Sequence, residues 1–85
     1  MIKFDVYNKK IHSNLLGIHA DLTGESKFKN QYKCLLFYSN NKFVGYTVFK
    51  LNTKSAFIDW FYAPNFGKDC IKVLNNYFIS HNGAV

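Results

Sequence analysis

Lysine is the residue that carries most of the chemistry this chain offers. All eleven of its basic residues are Lys, against five acids, for a formal net charge of +6. An ammonium on a flexible stem attracts phosphate, but it lacks the planar fork with which Arg reads guanine edges. The charge therefore points to nucleic-acid backbone contact with little base specificity. The densest cluster reads Lys27-Phe28-Lys29-Asn30-Gln31-Tyr32-Lys33. Cations interleaved with aromatic rings suit a single-strand binder, which neutralises phosphates and stacks bases. Lys9, Lys10 and Lys42 join Lys27, Phe28, Lys29, Tyr32 and Lys33 as the expected nucleic-acid-binding set, with Tyr38 and Tyr46 as further stacking surfaces. The competing reading is a solvated loop in a Lys-rich chain from an AT-rich genome, whose codons also favour Asn, Phe, Tyr and Ile.

The remaining reactive residues form no site by spacing. His12 and His19 lie seven apart and share a face of a predicted first helix. No acid or Cys stands at the spacing that would complete a metal set, so both are expected to be solvated. His81 falls at the C-terminus of the last predicted helix, where its charge suits the dipole. Cys34 and Cys70 show no CxxC or Cys/His spacing, and both are expected to be buried thiols. Cys70 lies near a helix N-terminus, which would favour a thiolate, but no paired His is evident. Asp59 stands among Phe57, Ile58, Trp60 and Phe61 and is expected at the surface, paired with a Lys. With no second carboxylate nearby, no acid/base pair forms. The expectation is a non-enzyme with no metal and no cofactor.

The elements that must position these residues follow from periodicity. Ile2, Phe4 and Val6 alternate with polar residues, predicting a strand. Asn8 is the expected N-cap of a helix in which Ile11, Leu15, Ile18 and Leu22 form one face. Gly17 weakens that helix and is expected where it approaches the sheet. Cys34–Tyr38 is a nearly continuous apolar run, as in a central strand. Asn40-Asn41 predicts a two-residue turn, because Asn tolerates positive φ. Phe43–Leu51 predicts the returning strand, with Gly45 marking a bulge or a close backbone contact. Ser55–Tyr62 predicts a strand with Ala56, Ile58, Trp60 and Tyr62 on one face; the alternative is a helix capped by Thr53. Lys68–His81 predicts a helix, closed by Asn82-Gly83 as C-cap.

The order is β-α-β-β-β-α in a single α+β domain over residues 1–85, an antiparallel sheet with helices packed on one face. One Trp, six Tyr and nine Phe exceed what two helices can cover from one side. The second face is therefore expected to be a binding platform or to be buried in a homodimer. No stretch approaches the roughly 20 apolar residues of a membrane span, and no signal peptide is evident. A cytoplasmic protein with no membrane partner is expected.

KFVGYTVFKL and FIDWFYAPNFGKDCIKVL resemble the second hairpin arm, fourth strand and pyrophosphate helix of the GNAT acetyltransferase superfamily. That resemblance implies a coenzyme A site at Gly67 and Lys68, on backbone N–H groups at a helix start. The loop is one residue shorter than the family's, and Asp69 and Ile71 stand where it has small residues. The second half of the fold is absent from the chain. The resemblance thus implies a relic that binds a CoA-type ligand or a host protein. The composition also resembles that of small accessory proteins of T4-like phages. This likeness implies a counter-defence role, such as binding RNA or inhibiting a toxin–antitoxin ribonuclease in the host cytoplasm.

Overall fold

A computed structural model describes residues 1–52 and 55–82. The elements are β1 (Ile2–Val6), α1 (Leu15–Thr23), β2 (Lys33–Ser39), β3 (Lys42–Leu51), β4 (Ala56–Tyr62) and α2 (Gly67–Asn82). The four strands form one antiparallel sheet in chain order, β1-β2-β3-β4. The chain is therefore α+β in the expected order, and Ser55–Tyr62 resolves as strand. Thr53, Lys54 and the Gly83 half of the expected C-cap lie outside the described residues.

The central hairpin is set by its turn. Asn40 and Asn41 take φ of 52° and 64°, the paired left-handed conformation of a two-residue turn whose twist matches its strands. Ser39 then faces Lys42 across the hairpin. Farther along, Phe37 pairs with Gly45 but Tyr38 pairs with Phe43, so Val44 is an extra residue in β3. Gly45 serves both roles that its position suggested. It adjoins this bulge, and a Cβ there would overlap the carbonyl oxygen of Tyr62 and come within 2.9 Å of Ala63 Cα.

The helices do not share a face, and here the expected arrangement is corrected. Along β2, Leu35 and Phe37 project with Phe49 towards Cys70, Leu74 and Tyr77 of α2. Cys34 and Leu36 project the other way, with Tyr46 and Val48, towards Leu15 of α1. The apolar run of β2 is continuous because both of its sides are buried. The middle of the central hairpin is thus buried on both sides, while Phe43 at its turn end stays partly exposed. Each large side chain buried in these layers contributes roughly 1.5–3 kcal/mol.

The first helix starts later than its sequence pattern suggests. Asn8 does cap, but what it caps is a turn. Its Oδ1 accepts from the Lys10 N–H at 2.9 Å, and its carbonyl accepts from the N–H groups of Ile11 and His12. α1 opens only after Asn14 and ends at Gly24, whose φ of 82° lets its N–H reach the Ala20 carbonyl at 2.8 Å. Of the predicted apolar face, Leu15 alone is buried; Ile11, Ile18 and Leu22 are exposed. Gly17 faces open space instead of the sheet.

The two glycines should respond oppositely. Gly45→Ala should cost roughly 1–3 kcal/mol or more, since backbone on both sides must yield. Gly17→Ala, free of any clash, should stabilise by about 0.5–1 kcal/mol. Urea unfolding of the two variants beside the parent chain reads both effects.

Candidate nucleic-acid interface

The Lys-rich segment is the connection from α1 to β2, and it is fastened to the domain by its aromatic residues. After Gly24, the Glu25 N–H donates to Thr23 Oγ1 at 3.1 Å. A second turn follows, in which the Tyr32 N–H donates to the Lys29 carbonyl at 3.2 Å and Gln31 takes φ of 69°. Phe28 packs edge-on against Tyr7 and His19, with ring centroids 5.2 and 5.0 Å apart. Tyr32 packs on the same cluster. Both rings are partly buried against the domain and anchor the loop, while Lys27, Lys29 and Lys33 are exposed around them. Tyr46 is wholly buried, so the expected stacking role for this residue is corrected: it is core.

Lys29 is already partly neutralised. Its Nζ donates to Asp59 Oδ1 at 2.9 Å, and the carboxylate's hydrogen bond and charge raise the ammonium pKa above its ordinary value. Asp59 is thus the Lys-paired acid expected from the sequence. A bulge puts it there: Val48 pairs with Trp60 but Phe49 pairs with Ile58, leaving Asp59 as the extra residue of β4. The same bulge corrects the expected face of β4. Trp60 and Tyr62 pack on the α1 side, whereas Ile58 lies opposite Phe49, a residue of the α2-side core.

The register decides which other lysines join this end of the sheet. Lys33 begins β2 opposite Phe49 and so leaves the α2 side of the sheet, while Lys50, the partner of Phe57, leaves the other side at the same end. Strand pairing brings Lys50 to this end of the sheet, which spacing alone did not show. Lys9 and Lys10 lie exposed on the turn after β1. Tyr7, just before that turn, bonds to the Cys34 carbonyl at the start of β2 and packs on Phe28, so the turn flanks the loop. Lys42 belongs elsewhere. It sits at the hairpin end of β2, about 20 Å from Lys33 at the usual rise of a strand, with Tyr38 and Phe43 beside it.

The histidines depart from expectation. His12 precedes α1 and does not share a face of it with His19. Its Nδ1 accepts from the Asn8 N–H at 2.8 Å, and its Nε2 lies 3.5 Å from Asp5 Oδ2. His19 is not solvated; it is 2% exposed, enclosed by Phe28, Tyr46 and Trp60. His19 Nδ1 and the Tyr46 hydroxyl share a hydrogen bond of 2.6 Å. Burial lowers the His19 pKa, opposed by the charges of Glu25 and Asp59, and pushes the Tyr46 hydroxyl up to about 12. The Trp60 indole N–H is near that hydroxyl and lowers its pKa, but stops short of hydrogen-bond geometry and has no other partner among the described residues. His81 Nδ1 donates to the Tyr77 carbonyl at 3.0 Å in the last turn of α2, in keeping with its expected place at the helix end.

The cysteines are core thiols on opposite sides of the sheet. Burial raises Cys34 to about 12 and Cys70 to about 11, the reverse of an activated nucleophile. Gly67 opens α2 with Lys68 exposed beside it, and Asp69 fills the first turn. Among the described residues, no three His, Cys, Asp or Glu side chains gather to hold a metal ion. No helix among them is long and apolar enough to cross a membrane. Comparison with protein-family models, with curated proteins and with solved structures finds no match.

The buried imidazole predicts a pH dependence. The folded His19 pKa lies below its unfolded value, so well above about pH 6.5 the ring is neutral in both states and adds no slope. As the pH falls below about 6.5, the unfolded chain takes up the proton first and stability declines. His19→Gln should lose stability at neutral pH but show a shallower decline between pH 6.5 and 5. Urea titrations of parent and variant at a series of pH values check this by difference.

Proposed function

We propose that this chain is a non-enzymatic basic protein that binds RNA, or other single-stranded nucleic acid, with low sequence specificity. Lys27, Lys29 and Lys33 are the primary phosphate contacts, with Lys9, Lys10 and Lys50 at the same end of the sheet. The observation that carries this reading is the anchoring of Phe28 and Tyr32 in the α1-side core, which holds the lysines of one short loop outward on a fixed base. A ligand that meets prepaid loop order loses less entropy on binding. The lack of Arg suits attraction to the backbone rather than readout of bases. Within this reading, the compositional likeness to phage accessory proteins supports a role in coating RNA against a host ribonuclease.

Three loop lysines engaged on a single strand give a slope of about −2 in log affinity against log salt. Affinity for a fluorescein-labelled oligo(U) should then fall about twentyfold between 50 and 200 mM salt. Lys27→Glu with Lys33→Glu should abolish that binding without lowering the melting temperature. Asp59→Asn, which releases Lys29, should strengthen binding without adding to a slope in which Lys29 is already counted. No binding at low salt, or a thermal shift with acetyl-CoA in place of RNA binding, would overturn the reading.

A further inference from the structure

The sheet ends at β1, whose outer side pairs with no strand among the described residues. Four of its five residues are exposed, among them Phe4 at 40% and Val6 at 54%. The opposite edge, β4, is interrupted by the bulge at Asp59 and carries the tie to Lys29. β1 pairs with β2 over its whole length without a shift, so its backbone phase follows from the next residue along. The Tyr7 N–H donates to the Cys34 carbonyl. Bonded positions alternate in an antiparallel ladder, so Lys3 and Asp5 also bond inward to β2. Ile2, Phe4 and Val6 therefore turn their N–H and C=O groups outward. The side chains of these three lie on the α2 side, where Ile2 packs on the core and Phe4 meets Tyr77 edge-on. Lys3 and Asp5 project from the other side, where Asp5 faces His12 at 3.5 Å.

We infer that β1 is a self-association edge: a second copy of this chain adds its own β1 antiparallel, joining the two sheets into one. The residue order selects a second copy. Ile2-Lys3-Phe4-Asp5-Val6 places opposite charges on either side of a central Phe, with an apolar residue at each end. Pairing about a twofold axis at Phe4 sets Lys3 against the partner's Asp5, and Asp5 against the partner's Lys3. Ile2 then meets the partner's Val6, beside a hollow of about 260 Å³ that Ile2 and Phe4 form with Val73 and Tyr77 of α2. The outward backbone phase permits this register. Phe4 exchanges both bonds with the partner's Phe4, as Ile2 and Val6 do with their opposites, giving about six bonds in all. The two charge pairs fall at non-bonded positions, where side chains come closest. The adjoining symmetric registers would oppose Lys3 to the partner's Lys3, or Asp5 to the partner's Asp5, and are disfavoured. The helices leave room. α2 contacts both β1 and β3 and so straddles β2; the two α2 axes would stand about 14 Å apart at the usual strand spacing, beyond the roughly 8–10 Å of packed helices. The net charge of +6 opposes association, but the edge itself is neutral, and physiological salt screens charges more than about 8 Å apart.

Sedimentation equilibrium across the micromolar range tests this. The 9.9 kDa chain should pass to twice that mass as its concentration rises. Lys3→Asp alone and Asp5→Lys alone, both at exposed positions, should each weaken the dimer at least about tenfold, because two attractive cross-strand pairs become repulsive. An equal mixture of the two variants should dimerise again, since each then meets the opposite charge at both positions. That complementation separates direct pairing from damage to the fold, which circular dichroism of each variant checks. Amide exchange at Phe4 and Val6 should slow with concentration more than at Lys3 and Asp5, which β2 already holds. Lys27→Glu with Lys33→Glu, the RNA-loop variant, should leave the dimer unchanged. Three outcomes would overturn the inference: a monomer throughout the range, a dimer that neither charge reversal weakens, or folded variants whose mixture stays monomeric.

Discussion

Burial of β2 and β3 on both sides is the constraint on which the rest of this small domain depends. A chain of 85 residues has little interior to distribute, and a central hairpin with two apolar faces divides that interior into two thin layers. One layer has an ample cover in α2, a sixteen-residue helix that brings Cys70, Leu74 and Tyr77 down onto Leu35, Phe37 and Phe49. The other is covered by α1, which has nine residues, too few to close it. Phe28 and Tyr32 from the following loop, Tyr7 from the end of β1, and the imidazole of His19 complete that layer. A polar ring in such a position needs a partner, and Tyr46 supplies one from the floor of the sheet. The short helix thus explains both the buried histidine and the loop's firm attachment.

The two bulges adapt a regular meander to this division. The extra residue at Val44 lets Gly45 slide beneath the chain at Tyr62–Ala63, where any side chain would collide with backbone. The extra residue at Asp59 shifts the inward and outward sides of β4. It turns Trp60 towards His19 and leaves a carboxylate beside the loop it ties down. An uninterrupted β4 would keep Ile58 and Trp60 on one face. The bulge therefore serves the packing of the α1 layer and the charge balance of the loop together.

What could be read in the sequence were the features determined by near neighbours. The Asn40-Asn41 turn, the Gly45 irregularity and the long final helix depend on local backbone preference, and each appears where its residues suggest. What could not be read were consequences of meetings far along the chain. The stripe Ile11–Leu22 has sound helical spacing, but the turn nucleated by Asn8 uses up its first residues, and the helix then settles with His19 inward. The continuous apolar run of β2 shows that both sides are apolar without telling which helix covers which. The partner of Asp59 lies thirty residues away, and a one-residue bulge is enough to invert an expected face. The Lys27–Lys33 cluster was legible as a cluster. That Phe28 fastens the loop depends on Tyr7 and His19, which arrive from other elements.

The same anchoring determines how the positive charge can act. Lysines on a free loop attract phosphate but must be ordered when they bind, and each long side chain held in place carries its own entropic cost. Here the backbone cost is met in folding, by Phe28 and Tyr32, so only the side chains remain to be ordered. Asp59 works against that gain: it holds Lys29 in place and withdraws part of its charge. The proposed RNA surface is therefore a compromise between a loop that must cover the core and one that must present cations. The same shortage of cover leaves Ile11, Ile18 and Leu22 exposed, because α1 is too short to bury them.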